Sequence, residues 1–127
     1  MKNTSILRIA YWAGSIADLA FGLLLIAFPS LSLKIYGVNI ELSPPVRFWM
    51  AYAGVAIFSR TAFLIWGLGQ LEERKFIALA TVFVIVGFFI AQIVGIIFGT
   101  ISVVNMVPLF AMQLVLVALF LAGYCRA

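Results

Sequence analysis

Four long apolar stretches, parted by short polar breaks, set the pattern of this chain: 6–28, 46–69, 76–98 and 107–124. Each holds about 18 to 24 residues, and a helix rising 1.5 Å per residue needs about 20 to cross a hydrocarbon layer roughly 30 Å thick. The pattern predicts an all-α integral membrane protein, a four-helix transmembrane bundle running up-down-up-down, as one domain over 1–127. The last two stretches lie in an uncharged run, 76–125, that is too long for one crossing and is broken by Gly99, Thr100, Asn105 and Pro108. A tight hairpin is expected there, with Pro108 in the first turn of the fourth span, where a missing N–H does no harm.

The loop 29–45 is the only sizeable segment off the membrane. Leu31, Leu33 and Ile35 alternate with Ser32 and Lys34, and Val38, Ile40 and Leu42 alternate with Asn39 and Glu41 across Gly37, which allows a short hairpin. The rival is an amphipathic helix starting at Pro29 and stopping at Gly37, lying at the interface with Tyr36 as anchor. The helix is preferred, because an isolated two-stranded hairpin is barely stable in water. The segment before it is basic and then apolar, like a signal peptide, but the apolar part is long and carries Asp18 at its middle, so it reads as an uncleaved first span.

Composition sharpens the class. The 127 residues are 66% hydrophobic and 9% charged, with a mean hydropathy of +1.25. Soluble domains carry roughly a quarter charged residues, so a soluble enzyme, a nucleic-acid-binding domain and a disordered chain are excluded. The net charge of +4 is first a matter of sidedness. With the amino terminus inside, the cytoplasmic side holds Lys2, Arg8, Arg74, Lys75 and Arg126 against Lys34 and Arg47 outside, which predicts both termini in the cytoplasm. A multi-pass protein of a prokaryotic plasma (inner) membrane is expected.

Two ionisable residues fall inside the spans, where charge is costly: Asp18 and Arg60. Counted from the cytoplasmic end, both lie roughly 14 to 18 Å deep. Their side chains lean toward their own helix amino termini, hence toward each other on antiparallel helices. Gly14, Asp18 and Gly22 form one small-residue stripe, and Ala53, Ala56, Arg60 and Gly67 a second, so an intramembrane ion pair between closely packed helices is predicted. A polar layer nearer the outside joins Gln92 and Gln113 by an interhelical amide hydrogen bond. Beside it Gly87, Ala91, Gly95 and Gly99 make a second small stripe with a matching Ala111, Ala118 and Ala122 face. That stripe reads as packing within the chain, or else as a homodimer or partner-subunit surface.

Most aromatic residues near span ends (Tyr11, Trp12, Tyr36, Trp49, Trp66 and Tyr124) read as interfacial belts. Phe83, Phe88, Phe89 and Phe98 either line a pocket for a lipid tail, quinone or isoprenoid, or face lipid. Catalytic signatures are missing. There is no histidine, no metal-ligand cluster, no phosphate-cradling glycine loop and no nucleophile-base pair, and the lone Cys125 reads as an inert interfacial thiol. No metal, cofactor or nucleic-acid partner is expected.

The order of an uncleaved first span, Pro29, an outer loop with Tyr36-Gly37, then Arg47 and a second span holding Gly54 resembles the DoxX-like small four-helix membrane proteins over the first half of the chain. The resemblance implies a bundle that accompanies redox or lipid metabolism as an accessory rather than a catalyst, and it supplies no site residue. The leading expectation is a non-enzymatic four-span protein: an accessory subunit of a membrane complex, or a binder of a lipophilic ligand in the bilayer plane. The alternative is a small proton-coupled multidrug-type transporter using Asp18, which Arg60 opposes by holding the carboxylate paired. An enzyme acting on a lipophilic substrate comes third.

Overall fold

In the computed structural model, which describes residues 3–127, the chain forms five helices and, among the described residues, no strand. Lys2, counted above among the cytoplasmic cations, lies outside them. The helices are α1 (Ser5–Ala27), α2 (Pro29–Tyr36), α3 (Pro44–Leu68), α4 (Phe76–Ile97) and α5 (Val103–Arg126). All but α2 are long and apolar enough to cross a membrane. Their outer surface suits lipid: Phe83 is 70% exposed and Phe98 80%, with Trp49, Tyr52 and Val104 similarly bare, a load of open apolar surface that water would not tolerate.

Small residues set the packing. Along the seam between α1 and α3, Tyr11 fits Gly67, Gly14 meets Leu64, and Gly22 meets Gly54, so contacts that advance along α1 retreat along α3. The two helices are therefore antiparallel and in close register. On the other side of α1, Leu7 lies against Gly123 and Phe120 fills the hollow at Gly14, which makes α5 antiparallel to α1 as well. The Asn3 amide donates to the Arg126 carbonyl at 3.0 Å, so both ends of the described chain lie at one end of the bundle. Helix α4 packs on α5, with Phe89 stacked at 4.5 Å on Phe110, and barely touches α3. Around the bundle the sequence of close neighbours is α3, α1, α5, α4, and the ring is loosest between its two ends.

The dense core occupies the half of the bundle that holds the termini. Leu7, Ala10, Tyr11, Leu64, Ala78 and Phe120 are all but inaccessible there. Tyr11 is a correction to the expected aromatic belt: it is 0% exposed, and its hydroxyl donates at 2.8 Å to the Arg74 carbonyl in the α3–α4 turn. A buried phenol needs such a partner, and the turn backbone supplies it. Arg74 closes the same end, donating to the Trp66 carbonyl at 2.6 Å with its guanidinium 4.1 Å from the Trp66 ring centroid.

Glycine stops shape the other end. Gly37 ends α2 at φ +62°, with the Val38 amide bonded to the Leu33 carbonyl and the Gly37 amide to that of Lys34. Gly99, at φ +72°, ends α4 in the same way through Thr100 to Gly95 and Gly99 to Ile96. Both are the left-handed caps that a residue with a Cβ enters only under strain. The segment 29–36 is thus the short helix rather than the hairpin. The fourth span begins a turn earlier than expected, at Val103, which places Pro108 at its sixth residue rather than in its first turn. Asn105 does not break the helix: from the first turn of α5 its amide nitrogen donates at 3.2 Å to the Lys34 carbonyl and so ties down the end of α2.

Candidate functional site

Asp18 and Arg60 project from the α1–α3 seam between the Gly14 and Gly22 contacts, at equal height because the seam is antiparallel. Arg60 Nη2 donates to Asp18 Oδ1 at 3.1 Å. The guanidinium carbon also lies 5.5 Å from the Phe88 ring centroid on α4, a cation–π contact that spans the loose side of the ring. The pair is incompletely satisfied: Asp18 Oδ2 and Arg60 Nε have no hydrogen-bond partner.

The two residues line a cavity of about 290 Å³ between α1, α3, α4 and α5. Its walls are Ala17, Phe21, Leu25, Ile57, Ile85, Met112 and Leu116, with Tyr36 of α2 and Ile101 closing the loop end. Tyr36 packs against Phe21 at 6.4 Å, and burial pushes its phenol above the ordinary value, so the hydroxyl keeps its proton. The dense core forms the floor. The exposed wall residues, Ala53, Phe88 and Ala91, all belong to α3 or α4, so the mouth opens sideways between those helices, toward where acyl chains would lie.

Gln92 and Gln113 line the same cavity. The amide hydrogen bond expected between them is not formed, and each Oε1 is buried without a partner. The α1–α5 register, carried on from Tyr11 against Phe120, brings Gln113 level with Asp18, and Gln92 stands nearer the loop end. What reads in sequence as two separate polar layers is one polar wall facing one hollow.

No family model, curated protein or solved structure matches this chain. The site therefore rests on its own geometry. Among the described residues no group of His, Cys, Asp and Glu side chains is placed to hold a metal. A wider basin of about 640 Å³ at the loop end, bordered by Lys34, Gly37, Gly99 and Ser102, is an open depression with no buried unpartnered side-chain atom among the described residues.

The small stripes divide. Gly14 and Gly22 make close helix contacts, as their spacing suggests. Gly87 does not: a Cβ there would meet nothing within 4 Å, and Ala91 faces the mouth of the cavity. Gly95 receives the Ile101 side chain from the turn and Gly99 is the turn itself, so the α4 stripe is not a packing seam against α5, and Ala111 and Ala118 are exposed. On α3 the seam runs through Gly54 and Gly67, while Ala53 and Ala56 face away from it. Sequence reasoning missed Gly123, whose hollow takes the Leu7 backbone. A glycine three residues from the end of the last span, with a leucine in the first turn of the first span, is the signal that was there to read.

Proposed function

We propose that this protein is a non-enzymatic binder of a lipophilic small molecule, which enters sideways from the bilayer into the cavity between the spans. The supporting observation is the cavity itself: about 290 Å³, near the lower end for ligand pockets, walled by aliphatic and aromatic side chains with a few convergent polar groups. It opens toward lipid rather than toward either aqueous face, which suits a ligand that arrives from the membrane. The transporter reading is weaker, because Asp18 is already engaged by Arg60 and the pair presents no net charge to a cation.

The test uses Met112, which lines the cavity, and Met50, which does not. In lipid nanodiscs containing protein with ¹³C-methyl methionine, 4-hexyltoluene or 4-hexylphenol should shift the Met112 methyl resonance saturably and leave that of Met50 in place. Ala53→Phe, at the mouth, should abolish the shift in a folded protein. No saturable shift with either probe removes the reading.

In the same proposal the chain crosses a plasma membrane four times, up-down-up-down, with both termini on the cytoplasmic side. Single cysteines at the exposed Ser30 and Asn39, in a Cys125→Ser background, should then react with an impermeant maleimide on intact cells, and one at Gln70 only after lysis. Labelling of Gln70→Cys alone reverses the orientation.

A further inference from the structure

We propose, resting on the ligand reading above, that the ligand carries an uncharged hydroxyl that is held at the polar wall by Asp18, Arg60 and Gln113, with its apolar part leaving between α3 and α4. The free atoms define the chemistry. Asp18 Oδ2 is an acceptor, Arg60 Nε is a donor, and the Gln92 and Gln113 amide oxygens are further acceptors. One group that donates and accepts at once, within a compact volume, meets both kinds: a hydroxyl. A carbonyl or ether would satisfy the arginine and leave the Asp18 carboxylate oxygen facing a lone pair, since only the glutamine amides can turn to donate. A hydrocarbon would leave all four atoms unpaired.

Charge narrows the class further. Asp18 and Arg60 neutralise each other at 3.1 Å, so an ionic head entering the cavity would be desolvated without a free counterion. The anionic head of a phospholipid and the ammonium of a cationic amphiphile are both disfavoured. Position adds a constraint on shape. The polar wall lies at mid-bundle, below Tyr36 and Ile101, so the hydroxyl goes deep, and the ligand is a ring or short chain bearing a hydroxyl rather than a lipid anchored at the headgroup level.

The probes are isosteric: 4-hexylphenol and 4-hexyltoluene differ by a hydroxyl in place of a methyl. In nanodiscs, with the Met112 methyl as readout, the phenol should bind about 10- to 100-fold more tightly, the range for a hydrogen bond to a charged group. The anion 4-hexylbenzoate and the cation 4-hexylbenzylammonium should both bind more weakly than the phenol. Gln113→Leu should lower affinity for the phenol toward that for the toluene and leave the toluene unchanged. If that variant does not fold, Gln113→Met, which keeps the length and flexibility of the side chain without its amide, serves with the same expected direction.

Equal, saturable binding of phenol and toluene would mean that water satisfies the polar wall; the hydroxyl inference then falls and the lipophile reading stands. Tighter binding of the ammonium than of the phenol overturns it in favour of cation recognition. If neither neutral probe shifts Met112, the ligand reading fails together with it.

Discussion

Asp18→Asn should destabilise the bundle by about 3 to 5 kcal/mol, the range for removing one partner of a buried ion pair. The mutation leaves the Arg60 guanidinium among apolar helices with only the Phe88 face and a neutral amide beside it. Arginine does not escape by losing its proton. Arg60→Met should cost less than Asp18→Asn, because the stranded carboxyl group can be neutralised by taking up a proton. The double replacement Asp18→Leu with Arg60→Met should recover most of the loss, since no charge then remains in the bundle. Unfolding titrations in mixed detergent micelles measure all three. Strictly additive losses would show that the contact at 3.1 Å does not couple the two residues. A folded double variant that no longer shifts Met112 with 4-hexylphenol would assign the pair to ligand binding rather than to stability.

Substituting a single hydrogen of Gly54 by a methyl group, in Gly54→Ala, is expected to cost about 1 to 3 kcal/mol, the usual range for overpacking a tight contact. The added carbon would stand 2.9 Å from the Gly22 carbonyl oxygen and 2.7 Å from Ile26 Cγ1. The isoleucine can turn aside. The carbonyl belongs to the backbone of α1, so relief requires the helices to part, and the Asp18–Arg60 contact on the same seam loosens with them. Gly87→Ala is the control. Its methyl meets nothing within 4 Å, and alanine is favoured over glycine in a helix by up to about 1 kcal/mol, so that variant should be neutral or slightly more stable. If Gly54→Ala unfolds with the wild type and Gly87→Ala does not, the two small-residue stripes have exchanged roles.

That contrast shows where sequence reasoning loses its grip. Gly14, Gly22, Gly87 and Gly95 all sit at the same spacing of four in apolar helices, yet only the first two lie at a close helix crossing. Tyr11 is similar: a tyrosine near the start of a span reads as an interfacial anchor, and only the arrival of the Arg74 carbonyl turns it into a core residue. Gln92 and Gln113 were legible as facing inward at neighbouring depths. That they line a hollow shared with Asp18, instead of bonding each other, depends on the register of α4 on α5, set where Phe89 meets Phe110.

By itself the sequence determined the membrane class, four spans, the stop at Gly37 and the two intramembrane charges at equal depth. Those follow from length against bilayer thickness, from glycine's access to positive φ and from the expense of charge in hydrocarbon, all of which act on one segment at a time. The tertiary structure alone decided which face of each helix turns inward, and with it the cavity, its lateral mouth and its polar wall. In water the inward face is marked by its apolar stripe, because the outer face must be polar. Here lipid is as apolar as the core, so Phe83 on the outside and Phe120 within are chemically alike, and only the fit of side chains to glycine hollows tells them apart.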